Sequence, residues 1–201
     1  CHSSYLDAFQ RLLLDKVDIA VCGVNINGKN IVLNNSQEEN GIHDRAWLMV
    51  ELIKRESVRG FLFNKAFSAE IVKNNKLFFD DSIHMCEDLV FCLNYAMYAK
   101  QIAFFNQGLY DYVIRQSSAS QSKFNPKRMS VLEAYDQIEK IEATYGTNEG
   151  IRIAKYNRLV HCCRLFLMLR KQQGYEEKRL YLKDYIKRNI RDTGNVKTEL
   201  K

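Results

Sequence analysis

Two adjacent carboxylates, Glu87 and Asp88, stand at the head of an apolar segment and are of a type and spacing that could do chemistry. They belong to the stretch IHMCEDLVFCLNYAMYAK, residues 83–100. Acidic residues are favoured in the first turn of a helix, because its free N–H groups and its macrodipole attract negative charge. A carboxylate held there can also take the proton of a hydroxyl nucleophile, as a general base does. The two interpretations, helix start and catalytic base, are compatible and both stay open on the local sequence.

The segments on either side of this pair alternate between helical and extended patterns. Apolar residues recur at helical spacing in several segments, and the predicted helices are 3–16, 42–56, 87–100, 126–145, 150–173 and 175–191. β-Branched and apolar runs predict strands at 17–26, 31–33 and 101–115, and a strand or turn followed by a short helix over 59–75. Alternating strands and helices indicate part of an α/β sheet. We therefore expect an α/β domain over residues 1–122 and an all-helical extension over residues 123–201.

Positive charge is concentrated in the C-terminal part of the chain. Residues 150–201 contain 14 Lys or Arg and five Asp or Glu, a net charge of +9, so residues 1–149 carry −3 of the total of +6. A basic amphipathic helix can lie on an anionic membrane surface. A basic face that is merely solvated is the other interpretation. No nucleic-acid recognition motif is present, so we expect no nucleic-acid partner.

The six cysteines exclude two classes of site. None of them forms a CxxC pair, and Cys162 and Cys163 are neighbours, which fits neither a disulfide framework nor a zinc site. Reduced, buried cysteines that behave as small apolar residues are expected, and these are typical of a cytoplasmic protein. The sequence also has no run of about 18 apolar residues, as a membrane-spanning helix would need.

Three segments carry a resemblance to a known family. The segments RGFLFNKAF, LFFDDSIHMCEDLVF and AFFNQGLYDYVIRQSSAS have the order and spacing found in the second half of the family 2 glycosyltransferases that make bacterial surface polysaccharides. The chain resembles that family over about residues 5–120. The matched residues are Gly60–Phe67, Phe79 and Asp80, the acidic pair Glu87 and Asp88, and then Leu109, Tyr110, Tyr112, Arg115, Ser117, Ser118 and Ser120.

The resemblance implies a fold and a reaction. The fold would be a partial GT-A-like (Rossmann-like) mixed sheet with the helical extension behind it. The reaction would be an inverting transfer of a sugar from a nucleotide-sugar donor to a glycan or lipid-linked acceptor, in surface polysaccharide synthesis. Asp88 would be the general base of this reaction, and Glu87 would orient the acceptor or the backbone.

The resemblance also implies residues that bind substrate, each with an alternative. Lys65, next to Asn64, would contact the donor phosphate or an acceptor hydroxyl, or else be a surface lysine. Tyr112 would stack on a sugar ring, or else pack in the core. Arg115 and Ser118 would neutralise the departing diphosphate, as Arg does well, or else belong to a polar loop.

The family's N-terminal half is not present in this sequence. That half holds the nucleotide base, and its Asp-x-Asp motif holds a divalent metal, Mn or Mg. We therefore expect the chain to start just after that motif, to hold no metal itself, and to be inactive in isolation. The expected location is cytoplasmic, with the inner face of the membrane as an open alternative. Two further functions stay open, namely a non-catalytic interaction module on a degenerate transferase fold and a basic helical binder of membrane surfaces.

Overall fold

A mixed β-sheet is built around the apolar strand IAVCGVNI. The computed structural model describes residues 3–14, 17–26, 29–30, 40–54, 57–113 and 124–191. Within these residues the strands are β1 (Ile19–Ile26), β2 (Lys29–Asn30), β3 (Gly41–His43), β4 (Lys65–Phe67) and β5 (Ile102–Tyr112). Strand β1 is central and almost entirely buried, which explains why its sequence is a continuous apolar run instead of an alternating one.

The carboxyl ends of the parallel strands β1 and β5 lie at the same edge of this sheet. Strands β1 and β5 run parallel, from Ile19 opposite Ile102 to Ile26 opposite Tyr112. On its other side β1 pairs antiparallel with β4 at its start and with β2 at its end. Strand β3 pairs antiparallel with the start of β5. In parallel strands the carboxyl ends are the usual place for ligands, and Tyr110 and Tyr112 lie at that end of β5.

Helices account for most of the remaining described chain. They are α1 (Tyr5–Leu14), α2 (Arg45–Ile53), α3 (Ala69–Asn74), α4 (Glu87–Ala96), α5 (Val131–Tyr145), α6 (Asn148–Leu169) and α7 (Glu176–Asn189), with a 3₁₀ turn at Pro126–Ser130 before α5. Phe9 of α1 packs with Ala20 and Cys22 of β1 and with Ala103 and Leu109 of β5 in one buried cluster. In the described part, no helix combines the length and the apolar character needed to cross a membrane.

The described residues divide into two units. The first unit runs to Phe79, resumes at Asp88, and contains the sheet. The second comprises Asp80–Glu87 and the described residues from Phe124 onward. Two hydrogen bonds join its parts: the amide of Gln137 donates to Asp80 at 2.9 Å, and the backbone N–H of His84 donates to the hydroxyl of Ser130 at 2.9 Å.

In the helical unit, Arg158 of α6 ties the helices together. Its guanidinium pairs with the carboxylates of Asp136 at 2.7 Å and Glu139 at 3.1 Å on α5. It also lies over the ring of Tyr185 on α7, 4.9 Å from the centroid. The charge of Arg158 is therefore used inside the unit and does not contribute to the basic surface.

The predicted fold class, an α/β sheet with a helical extension, is confirmed. The helix predicted over 42–56 begins instead at Arg45, because residues 41–43 pair with β5 and the Asp44 carboxylate caps the helix by accepting from the N–H of Trp47 at 2.9 Å. The helix predicted to reach residue 100 ends at Ala96, and the N–H groups of Tyr98 and Ala99 then bond to carbonyls only three residues back.

Some predictions fall on residues outside the described ranges. These include the returning strand 31–33 and most of the two polar loops. The domain boundary predicted between residues 122 and 123 also lies there in part, since residues 114–123 are not described. The division into domains 1–122 and 123–201 therefore stays a prediction.

Candidate functional site

Helix α4 presents the acidic pair at its start. Glu87 and Asp88 are its first two residues, and both side chains are half-buried. Farther along, Val90, Phe91 and Leu93 are buried and fix the helix in the first unit. The pair thus begins a helix, as its sequence predicts.

The backbone that leads into α4 is unusual. Cys86, directly before Glu87, has a φ of 65°, in the left-handed region that residues other than glycine rarely adopt. Such a conformation costs of order 1–3 kcal/mol and persists only where the surroundings determine it. The direction in which the chain enters the helix is therefore fixed at the residue before the acidic pair.

A turn at residues 58–61 packs closely against the first turn of α4. A Cβ atom on Gly60 would lie only 2.6 Å from the Cα and the Cβ of Leu89, so glycine is the residue that fits here. The neighbouring Arg59 has a φ of 55°. The thiol of Cys92, one turn along α4, approaches the carbonyl of Gly60 at 3.6 Å. The turn and the helix that carries Asp88 are thus in backbone contact.

Lys65, the first residue of β4, is buried with only 5% of its surface exposed. Its ammonium donates to the carbonyl oxygens of Phe61 at 2.6 Å and Arg59 at 2.7 Å, and to Oδ1 of Asn64 at 2.8 Å. Burial lowers the pKa of Lys65 to about 8. The alternative of a surface lysine is therefore wrong, because the ammonium is turned inward onto the 58–61 turn. Contact with substrate stays a prediction.

Asn64 is fully buried, and its amide joins the turn to the sheet. It donates to the carbonyl oxygens of Cys22 at 3.1 Å and Val58 at 3.3 Å, and its own oxygen accepts from Lys65. Asn64 and Lys65 thus act as a pair that organises the turn. The sequence motif located both residues, but it did not indicate that their partners are backbone carbonyls.

Four half-buried aromatic rings stack near the carboxyl end of β5. The ring of Phe63 lies 4.4 Å from that of Tyr110, 5.4 Å from that of Tyr112 and 4.8 Å from that of Phe61, with nearly parallel planes. The hydroxyl of Tyr5 donates to the carbonyl of Phe63 at 2.6 Å. Packing against protein rings is thus what occupies Tyr112, and its stacking on a sugar stays a prediction. Phe61 and Phe63 lie within the matched segment Gly60–Phe67, but no role was predicted for them from the sequence.

Asp80 of the Phe-Asp match closes a local turn in the second unit. It accepts from the hydroxyl and the N–H of Ser82 at 2.5 and 2.9 Å, and from Gln137. The hydrogen bonds from Ser82 lower the pKa of its carboxyl. Asp80 therefore orders the segment that leads to Glu87. Arg115 and Ser118, together with Ser117 and Ser120, lie outside the described residues.

Other chemistries find little support in the described part of the chain. It contains no cluster of three or more His, Cys, Asp or Glu that could hold a metal ion. Burial raises the pKa of the Cys22 thiol to about 12 and that of Cys92 to about 11, so both stay neutral and unreactive at pH 7. The candidate site in the first unit thus consists of Asp88 in the first turn of α4 and the 58–61 turn, which contacts Leu89 and Cys92 of that helix and binds the ammonium of Lys65.

Comparison with known proteins supports the fold. No protein-family model and no curated protein matches the sequence. Two crystal structures of S. aureus TarS residues 1–349 do match. The complex with UDP has a TM-score of 0.52 and 12% identity, over 86% of this chain and 45% of that chain. The complex with UDP-GlcNAc has a TM-score of 0.52 and 13% identity, over 94% of this chain and 64% of that chain.

The likeness to TarS is one of fold alone, because the identity is low. The chain spans between about half and two thirds of the length of these structures, as the coverages of 45% and 64% show. Its mixed sheet and helices form an α/β fold like that of TarS. The acidic pair therefore lies within a fold that resembles that of TarS.

Proposed function

We propose that this chain is the C-terminal part of an inverting family 2 glycosyltransferase in which Asp88 is the general base. The observation that carries the proposal is the placement of Asp88. It lies in the first turn of α4, whose backbone contacts the Gly60 turn, in a glycosyltransferase-like fold. This arrangement holds one carboxylate rigidly, as a proton acceptor in a precise reaction requires.

The chemistry follows from what an acceptor hydroxyl needs. The hydroxyl oxygen attacks the anomeric carbon of the donor on the side opposite the nucleoside diphosphate, and the C–O bond to the diphosphate breaks. Asp88 takes the hydroxyl proton as the new glycosidic bond forms, and Glu87 orients the acceptor. General-base help of this kind contributes roughly 10²–10⁴-fold to the rate.

The substrate class is a nucleotide-sugar. The structural neighbours were crystallised with UDP and UDP-GlcNAc, which supports a donor of this class. We assign the neutralisation of the departing diphosphate to Arg115 and Ser118, and acceptor binding to the Tyr112 end of β5. A divalent Mn or Mg ion, held by an Asp-x-Asp motif upstream of this chain, would neutralise charge on the diphosphate. The acceptor is a glycan or a lipid-linked glycan of a bacterial surface polysaccharide.

The helical unit favours an additional role at an anionic membrane surface. Leu180 on α7 is 61% exposed, and Tyr181 and Ile190 are also exposed. The neighbouring stretch of chain also carries exposed basic side chains, namely Lys178, Lys183, Lys187, Arg188 and Arg191. Apolar side chains among Lys and Arg are what an interfacial helix presents to anionic lipid. Such contact would place the enzyme at the inner face of the membrane, next to a lipid-linked acceptor.

The first test uses the full-length protein and the substitution Asp88→Asn. We expect one nucleotide-sugar of a panel to be turned over with Mn²⁺ or Mg²⁺, and kcat to fall roughly 10²–10⁴-fold in the variant. Donor affinity, measured by calorimetry, should stay unchanged. Asp7→Asn is the matched control, since Asp7 is an exposed acid in the first turn of α1. Full-length protein that binds no donor would exclude a transferase, and an unchanged kcat would exclude Asp88 as the base.

A further inference from the structure

We propose that Lys65 is the positioning residue for Asp88, in that its ammonium holds the 58–61 turn in the shape that fixes the first turn of α4. The reaction that this serves rests on the proposed function. The contacts themselves do not, because they all lie in the first unit and involve no ligand. Lys65 therefore acts on the base through the backbone and does not touch the reacting atoms.

The ammonium of Lys65 binds backbone carbonyl oxygens of the 58–61 turn. The carbonyl oxygens of Arg59 and Phe61, with that of Val58 at 3.3 Å, converge on the ammonium of Lys65 together with the Asn64 amide oxygen. An ammonium has three N–H groups, and the three shortest of these contacts use them all. The four acceptors are neutral oxygens. Their dipoles would repel each other without a cation between them, so the shape of the turn depends on Lys65.

The 58–61 turn contacts α4 next to Asp88, at Leu89. A Cβ atom added to Gly60 would lie only 2.6 Å from both the Cα and the Cβ of Leu89, the residue after Asp88. The Gly60 carbonyl also faces the thiol of Cys92 at 3.6 Å. Because two backbones are in direct contact here, a displacement of the turn must displace the first turn of α4. Displacements of about 1 Å at a reacting group can cost roughly 10²-fold in rate.

Lys65 and Asp88 also interact through their charges. The ionisable groups that act on Lys65 are Cys22 from β1 and Cys92 and Asp88 from α4, and Arg59 lies on the turn that it holds. Burial keeps both thiols neutral at pH 7, which leaves Asp88 as the anion whose field acts on the ammonium. The charge of Lys65 therefore attracts the Asp88 carboxylate as well as the carbonyl oxygens of the turn.

The test compares Lys65→Met with Lys73→Met in the full-length protein. Lys73 is an exposed lysine of α3 and serves as the matched control. In Lys65→Met we expect faster amide hydrogen exchange in the first turn of α4. We expect kcat to fall roughly 10- to 100-fold with the donor KM unchanged. In an Asp88→Asn background, Lys65→Met should have no further effect on kcat.

Each outcome decides a separate claim. Unchanged exchange in α4 would overturn the proposal whatever the activity, and so would an equal loss of kcat in the Asp88→Asn background. Faster exchange in a protein that transfers no sugar would support the mechanical link and reject the transferase. If Lys65→Met does not fold, Gly60→Ala replaces it, because the added Cβ pushes on Leu89 while Lys65 stays in place. The same readings then apply to that variant.

Discussion

Glu142, near the end of α5, is the most unusual single residue outside the candidate site. Its side chain is fully buried, and neither carboxylate oxygen has a hydrogen-bond partner in the described part of the chain. A Cβ atom at Gly146 or at Gly150 would overlap Oε2, so the two glycines make room for the carboxyl group. Burial raises the pKa of Glu142 to about 7. A buried, unpaired polar group of this kind costs stability when it is charged.

The substitution Glu142→Gln should therefore stabilise the protein at high pH. The folded pKa of about 7 lies above the ordinary value of 4.5 for a glutamic acid, so the folded state binds more protons between these values and stability falls as pH rises through them. At pH 8 we expect the free energy of unfolding to rise by roughly 1–3 kcal/mol in the variant, with a smaller change at pH 5. Urea denaturation at both pH values measures this.

The control for this prediction is Glu133→Gln, at an exposed position of the same helix. It should change stability little at either pH. If Glu142→Gln instead destabilises the protein at pH 8, the carboxylate gains more from the positive N-terminus of α6 than it loses by burial. That result would contradict the prediction.

Asp88 and Lys65 differ in how much of their surroundings could be predicted from the sequence. Asp88 could be located because an acidic pair before an apolar run has a local meaning, the start of a helix. The environment of Lys65 could not, because its partners are carbonyls of a turn that exists only after β4, the turn and α4 have packed. A lysine in an apolar strand looks the same in the sequence whether its ammonium points outward or inward.

At the scale of elements, long apolar runs were predictable and short paired strands were not. Strands β1 and β5 were predicted from their own residues, whereas β3 and β4 have three residues each and depend on the edges that they join. Strand preference reflects packing against neighbours more than an intrinsic tendency of the chain. This is why a helix was predicted from residue 42, where β3 pairs with β5.

The start of α2 gives a prediction at this scale. Asp44 caps the helix through the N–H of Trp47, at the point where β3 ends. Asp44→Ala should lower the free energy of unfolding by about 0.5–2 kcal/mol, while Asp44→Ser keeps a capping oxygen and should cost little. Urea denaturation of both variants measures the difference. Equal stability of Asp44→Ala and wild type would mean that the cap contributes nothing to this helix.

At the scale of the whole molecule, the fold class could be predicted from the order of strands and helices, whereas the grouping of residues 80–87 with the later helices could not. Residues 80–87 belong with the helices after residue 124, through Gln137 and Ser130. No local pattern signals such a contact across more than 40 residues. The segment that ends at Glu87 therefore belongs to the helical unit through these two hydrogen bonds.

The basic surface of this unit gives the last prediction. Lys187 lies seven residues after the exposed Leu180, on the same face of α7, and Arg188 is adjacent. We expect full-length protein to co-sediment with vesicles that contain anionic lipid and not with neutral ones. A basic residue near such a surface contributes about 1 kcal/mol, so Lys187→Gln with Arg188→Gln should weaken binding roughly thirtyfold.

The control pair for that experiment is Lys73→Gln with Lys100→Gln, which removes the same charge from exposed positions of the first unit. If binding depends only on net charge, both pairs should weaken it equally, and α7 would have no special role. If the α7 pair alone weakens binding, and added salt does the same, the contact is electrostatic and local to α7. If the wild-type protein does not bind anionic vesicles, the basic face is only solvated. The protein would then have to bind a lipid-linked acceptor without a membrane contact through α7.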